Sequence, residues 1–254
     1  MTAESAGARQ VLEVTGADRV DFLQGLITND MARAKDGLIY AALLSPQGKY
    51  LADFFVHASD DKVLIDVSED QARGLAQRLS MYKLRADVTI AASDLHVQRG
   101  FGDAPEGAWP DPRHPELGWR RFSDKNGAAP TTDWAALRVR LGVPESGIEL
   151  ISDATYILEV GFEALDGVDF RKGCYVGQEV TARMKHKTEL RKGLARVAVD
   201  GYAPVGTEIE AGGKPVGTLY TQAGGQGLAY LRFDRATGPM QAGEATVTWQ
   251  REAS

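Results

Sequence analysis

The run Phe170-Arg171-Lys172-Gly173-Cys174-Tyr175-Val176-Gly177-Gln178-Glu179, continuing to Arg183, concentrates the side chains best suited to chemistry. It holds the sole thiol of the chain, two cations before it, two glycines and an amide–acid pair. Gly173 and Gly177 suit a tight turn or the close approach of backbone to a ligand. The spacing predicts a helix over Val176–Met184, which puts Cys174 near its positive end, beside Arg171 and Lys172. A thiol so placed is more acidic and more reactive than a free one. The competing reading is a buried structural cysteine in a strand-to-helix turn, since free cysteine is among the most buried residue types. Around this run, residues 171–192 carry seven Lys/Arg (171, 172, 183, 185, 187, 191, 192) against Glu179 and Glu189, a local +5 that leaves −11 for the rest. Such a stretch suits an anionic ligand or partner, or a solvated charged face.

The familiar catalytic patterns are missing. There is no G-x-x-x-x-G-K-[ST] phosphate loop, no G-x-G-x-x-G after a strand, no H-E-x-x-H and no G-x-S-x-G elbow. His57, His96, His114 and His186 are scattered and suggest no metal site. A single cysteine excludes an internal disulfide and a four-cysteine zinc site, and fits a reduced compartment. The formal charge of −6 disfavours a general nucleic-acid coat, which needs broad positive surface. No segment approaches the run of about 18 apolar residues that marks a membrane span. The first ten residues lack an apolar core and carry Glu4, so the expectation is a cytoplasmic protein with no membrane partner.

The elements that must position the run alternate strands and helices. Val11–Val14 reads as a strand broken at Gly16, and Asp18 is placed to cap a helix with Val20, Leu23, Leu26 and Ile27 on one face. Leu38–Leu44 and Tyr50–His57 flank the turn Ser45-Pro46-Gln47-Gly48, and Lys62–Val67 completes a meander. Ser68 and Gln71 form a capping box before a helix with Ala72, Leu75, Ala76 and Leu79 inward. Asp87–Ala91 returns to strand. Residues 100–133, with five of the ten prolines, read as a connection holding one strand, Gly118–Phe122. A helix from about Asp133 to Leu141 stops at Gly142 with Pro144 beyond. From Leu190, short strands and glycine-rich turns suggest a small all-β barrel. The class is α+β, with mixed and mainly antiparallel sheets.

Lys172-Gly173-Cys174-Tyr175-Val176-Gly177-Gln178-Glu179 resembles the K-G-C-[FY]-x-G-Q-E signature of the YgfZ family, folate-binding proteins related to the glycine-cleavage T-protein, an aminomethyltransferase. Gly16-x-Asp18 with Phe22-Leu23-Gln24-Gly25-Leu26-Ile27-Thr28-Asn29-Asp30 is similar to the family's G-x-D…F-L-Q-G-x-x-T-N-D. Ser45-Pro46-Gln47-Gly48-Lys49 resembles its P-Q-G-[RK] turn, Tyr82-Lys83-Leu84-Arg85 its Y-x-L-R, and Gly142-Val143-Pro144 its G-[IV]-P. The resemblance covers residues 11–200 in order. It implies a three-lobed ring with folate in a central channel. The lobes fall at 1–50 with about 130–188, at about 51–129, and at about 189–254, the last a C-terminal β-barrel.

By this resemblance the chain binds tetrahydrofolate and supports iron–sulfur cluster assembly or repair, with Cys174 as the functional thiol. The signature residues are Lys172, Gly173, Tyr175, Gly177, Gln178, Glu179 and Arg183; Asn29, Asp53, Tyr175 and Arg183 are candidate folate contacts. The implied partners are a reduced folate, whose polyglutamate tail the basic stretch would suit, and iron–sulfur assembly or client proteins. One alternative is a folate-dependent one-carbon transferase with Asp53 as its acid. True aminomethyltransferases carry two adjacent acids where this chain has Leu51-Ala52-Asp53-Phe54. They also carry a pterin-anchoring glutamate where it has Arg140, and arginine accepts no hydrogen bond. A second alternative, an RNA- or tRNA-modification accessory protein, rests on the +5 stretch alone and lacks an interleaved aromatic platform.

Overall fold

The computed structural model describes residues 3–186 and 190–250. The chain divides into two compact units: Met1–Thr132 with Phe162–Ala182, and Asp133–Gly161 with Arg183–Ser254. Lys187 and Glu189 of the basic stretch lie outside the described residues.

The first unit holds nine strands: β1 (Glu4–Ser5), β2 (Arg9–Thr15), β3 (Ile39–Leu44), β4 (Tyr50–Ala58), β5 (Val63–Ser68), β6 (Thr89–Ser93), β7 (His96–Gly100), β8 (Ala108–Pro110) and β9 (Trp119–Ser123). Among the described residues, α1 (Arg19–Gln24) and α2 (Glu69–Tyr82) accompany them. An antiparallel five-stranded sheet runs β3-β4-β5-β2-β6, and a four-stranded sheet runs β1-β7-β9-β8. The predicted meander is present because its three strands are apolar runs punctuated by turn residues. In β4 every residue but His57 is buried, so both faces are covered. Phe54, Val56 and Ala58 join a core with Leu23, Ile27, Leu75 and Leu79 from the helical side. By strand alternation Asp53, Phe55 and His57 lie on the other face.

That second face is held by charge. The Asp66 carboxylate of β5 accepts from Arg9 Nε at 2.5 Å and Arg120 Nη2 at 2.6 Å. Arg113 makes a two-point contact with Asp111 at 3.0 and 2.8 Å. The guanidiniums of Arg113 and Arg120 sit over the Phe55 ring at 4.7 and 4.1 Å. Burial alone would push the Asp66 carboxyl up, but Arg9 and then Arg120 outweigh it and hold it below its usual value.

Local expectations fail where a tertiary partner outbids a local one. Ser68 makes no side-chain cap, and Gln71 meets the Tyr50 hydroxyl, so neither half of the capping box forms. Asp18 likewise accepts the Asp87 N–H rather than capping α1, which ends at Gln24. The proline-rich connection carries β8 as well as β9, and the polar segment of β7 completes their sheet. The last strand of the five-stranded sheet lies at Thr89–Ser93, shifted from Asp87–Ala91.

In the second unit, α3 (Trp134–Leu141) begins where Asp133 accepts the Ala136 N–H and ends at Gly142, φ 72°. Strands β10 (Lys192–Asp200), β11 (Thr207–Ala211), β12 (Lys214–Ala223), β13 (Gln226–Arg232), β14 (Pro239–Ala242) and β15 (Ala245–Thr248) close a barrel in the order β10-β13-β12-β11-β14-β15. Val197, Ile209, Leu219, Leu231, Met240 and Val247 fill it. The mixed antiparallel architecture and the C-terminal barrel are as the sequence predicts. The signature run leads into α4 (Gln178–His186), two residues later than expected.

Candidate functional site

The signature loop is tied to the Gln24–Asp30 segment by one side chain. Lys172 is buried, and its Nζ donates to the carbonyls of Gln24 at 2.8 Å, Ile27 at 2.6 Å and Asn29 at 3.0 Å. Those three acceptors match the three donors of an ammonium. The Nζ also stands 5.1 Å from the Tyr175 ring centroid. Burial pushes Lys172 down to about 8, against the opposing charges of Asp30 and Asp169. Lys172 is therefore a clamp, and its donors are not available to a neighbouring thiolate.

The segment it grips is closed on itself. Asn29 donates to the carbonyls of Tyr40 and Asp166 at 2.8 and 2.7 Å, and its Oδ1 accepts from the Asp30 N–H and Arg33. Asp30 caps the short helical turn Met31–Lys35. Thr28, which sequence reasoning did not single out, donates to the Gly167 carbonyl at 2.6 Å and accepts the Ala42 N–H at 2.8 Å. Asn29 thus has every polar position filled from within, so its role here is to hold Tyr40 and Asp166 in place.

The two signature glycines behave differently. Gly177 has φ 83°, and a Cβ on it would lie 2.6 Å from the Ser45 carbonyl and 2.9 Å from Leu44 Cβ. Its counterpart Gly48, φ 73°, faces Val180 at 2.8 Å in the same sense. The Pro46-Gln47-Gly48 turn and the signature loop therefore interlock through two glycines. Gly173 has no positive φ, and a Cβ there would meet nothing within 4 Å, so it is not required by a tight turn. That side of the loop is open.

Cys174 is exposed, which removes the buried structural reading. It precedes the first residue of α4 by four positions and is not in the helix's first turn. Tyr175 is buried, and its Oη is the one buried side-chain oxygen among the described residues without a hydrogen-bond partner. Thr181 is near enough to draw its pKa down, yet not at hydrogen-bonding geometry; burial dominates and pushes the phenol up to about 12. Gln178 and Glu179 open α4, and Arg183 lies exposed in its last turn.

Asp53 lies apart, in its own buried cluster. Its oxygens accept from Tyr40 Oη at 2.9 Å and Tyr50 Oη at 2.6 Å. Burial and then the Asp53 charge push the Tyr40 phenol well above its usual value. Arg113 covers the Tyr40 ring at 5.5 Å. Tyr40, Tyr50 and Arg113 were missed in the sequence; the two tyrosines had a signal, since they flank Asp53 on paired strands, but Arg113 had none. Where aminomethyltransferases carry the pterin-anchoring acid, Arg140 is exposed on α3. Its neighbour Arg138 is held by Glu149 at 2.9 Å and Glu145 at 2.7 Å. No group of three or more His, Cys, Asp or Glu among the described residues is placed to hold a metal ion.

Residues 191–253 match the CAF17 C-terminal beta-barrel domain family. The chain is 34% identical over 217 residues to the mitochondrial iron-sulfur cluster assembly factor IBA57 homolog of Mycosarcoma maydis, covering 72% of this chain and 54% of that protein. It is 29% identical to the mitochondrial IBA57 of Mus musculus, covering 91% and 78%. Against its fungal relatives from Mycosarcoma maydis and Neurospora crassa the chain spans only 54% and 55% of their length. The glycine cleavage system aminomethyltransferase T from Bartonella henselae superposes with a TM-score of 0.74 at 12% identity, covering 96% of this chain and 83% of that one, a likeness of fold. The relatives are named mitochondrial, which overturns the cytoplasmic expectation: one cysteine and a mild negative charge do not distinguish one reducing compartment from another. The chain thus has the aminomethyltransferase T fold with a CAF17-type C-terminal barrel, and its likeness is to the IBA57 and CAF17 proteins rather than specifically to YgfZ.

Proposed function

We propose that this protein supports iron–sulfur cluster assembly or repair, with Cys174 as its working thiol and a reduced folate, tetrahydrofolate, as its ligand. The observation that carries the reading is an exposed thiol on a loop fixed at both ends, by the Lys172 clamp on one side and the Gly177–Gly48 interlock on the other. The names of the IBA57 relatives support it. One thiol cannot supply the four ligands of an ordinary cluster. The cluster is therefore cargo, held on a partner protein or shared between two thiols, and Cys174 meets it at the surface.

The loop fits a folate better than it fits aminomethyl transfer. The Tyr175 Oη is a polar group left without a partner inside the fold, and the loop is open at Gly173 two residues before it. Bound tetrahydrofolate would supply a carrier for a one-carbon unit. The acid for transferring that unit is lacking: both Asp53 oxygens already accept phenolic hydroxyls, and a protonated Asp53 would have to give one up. Asp53 is thus a positioning group for Tyr40 and Tyr50. The positive charge of the stretch from Arg171 to Lys192 suits the glutamate tail of a folate or an acidic client protein.

The test is Cys174→Ala in cells lacking their own IBA57-type factor. Loss of iron–sulfur enzyme activity with normal protein levels is expected; full activity would sink the thiol role. Calorimetric titration of a reduced folate into wild type and Cys174→Ala tests the ligand separately. Saturable binding to both is expected, and binding to neither removes folate from the reading.

A further inference from the structure

The end of α2 runs into the Tyr82-Lys83-Leu84-Arg85 segment and carries an unusual combination of groups. Leu84, the second residue after the helix, is 89% exposed and has φ 45°. The left-handed position just past a helix is ordinarily filled by glycine. A leucine there costs about 1–2 kcal/mol of backbone strain. Its side chain recovers little of that from the fold, since almost all of it stands in solvent. Met81 is 78% exposed beside it, and Tyr82 is 37% exposed. Strain and exposed apolar surface at one turn point to a function outside the folded chain.

Charge identifies the occupant. Residues 71–86 contain Arg73, Arg78, Lys83 and Arg85 and no acid, a local +4 in a chain of −6 that leaves −10 elsewhere. The acids of α2, Glu69 and Asp70, open its first turn, about 18 Å up the helix axis from Tyr82. Asp87, the next acid along the chain, accepts the Ala17 N–H, and Asp18 accepts the Asp87 N–H. Two flexible aliphatic side chains exposed at a turn, an interfacial tyrosine and two flanking cations, Lys83 and Arg85, whose stems can lie along apolar surface suit the boundary of a lipid layer.

We infer that the Met81–Arg85 turn is a peripheral docking surface for an anionic phospholipid membrane. Met81 and Leu84 enter the acyl boundary, and Lys83 and Arg85 meet the headgroup phosphates. The exposed apolar side chains at this turn set it apart from the basic stretch at residues 171–192, which carries charge without Met81, Tyr82 and Leu84 beside it. The sequence reading assigned no membrane partner because it found no spanning run, but surface docking needs no span: it takes apolar insertion and basic charge acting together.

The experiment is flotation of the full chain with phosphatidylcholine vesicles, with and without phosphatidylglycerol. Flotation with the anionic vesicles alone, weakening as salt rises, is expected. Lys83→Gln with Arg85→Gln should lower the partition coefficient about 30-fold. Leu84→Gly should lower it about tenfold. Because glycine relieves the strained φ, that variant should melt no lower than wild type, so its loss of flotation cannot come from unfolding. Absence of flotation by wild type, or variants that float as well as it does, overturns the proposal and leaves the turn to an acidic protein partner.

Discussion

Gly177→Ala tests whether the signature loop is held by the geometry described above. The new methyl meets two separate costs. At φ 83° an L residue carries left-handed strain of about 1–2 kcal/mol. Its Cβ would also lie 2.6 Å from the Ser45 carbonyl oxygen and 2.9 Å from Leu44 Cβ, so backbone must shift. Overpacking of this kind adds about 1–3 kcal/mol, for a total of about 2–5 kcal/mol. Gly7→Ala is the matched control: it has the same φ of 83° with nothing within 4 Å of a Cβ, so it carries the strain alone. Urea unfolding of wild type and both variants, at constant m-value, gives the two differences. The rate at which a disulfide reagent modifies native Cys174 should also rise in Gly177→Ala and not in Gly7→Ala. If Gly177→Ala is no more destabilised than Gly7→Ala, the interlock with the Pro46-Gln47-Gly48 turn contributes nothing and the reasoning is refuted.

Three further outcomes are expected. Lys172 has a folded value of about 8 against 10.5 for the free group, so the unfolded chain binds more protons between those values. Its contribution to stability therefore rises with pH across that window, and the rise should vanish in Lys172→Met when stability is measured by denaturant titration from neutral to alkaline pH. Tyr175→Phe removes a buried hydroxyl with no partner, so melting should stay level or rise, by about 1–2 kcal/mol, while folate affinity falls in calorimetry; a loss of stability would show that Oη is satisfied in solution. Asp66→Asn leaves Arg9 and Arg120 facing a neutral group and should cost about 3–5 kcal/mol. Because the folded Asp66 value lies below 3.8, its contribution is present above that pH and lost as pH falls through the folded value, so the variant's deficit should shrink in acid.

The meander was legible because Leu38–Leu44, Tyr50–His57 and Lys62–Val67 are apolar runs bounded by turn residues, and each observed strand falls within a residue of that reading. The barrel was legible for the same reason. Strand β7 was not, since His-Val-Gln-Arg-Gly has no apolar alternation and is fixed by pairing with β9. Within the site, residue type was informative and role was not. Gly173 and Gly177 are identical letters, and only φ and neighbours separate the dispensable one from the required one. Lys172 read as a thiolate partner, whereas its acceptors are three backbone carbonyls that no side-chain pattern records. Gln71 read as a helix cap and serves Tyr50 instead, because Ser68 is already paired with Arg9 in the sheet and the buried Tyr50 hydroxyl takes the amide.

The Lys172 clamp has a consequence for the order in which the protein is built. Its Nζ joins the Ile27 carbonyl across 145 residues. Closing a loop of that length costs about 4 kcal/mol in the length-dependent part of chain entropy alone. The hairpins β3–β4 and β4–β5 close over a few residues and can form early, while the Cys174 loop waits for nearly the whole first unit. During synthesis the Gln24–Asp30 segment emerges with its three carbonyls unclaimed and remains so until the signature follows. A nascent or truncated chain can therefore carry a native sheet and an unplaced thiol, and the geometry around Cys174 certifies that the first unit has closed.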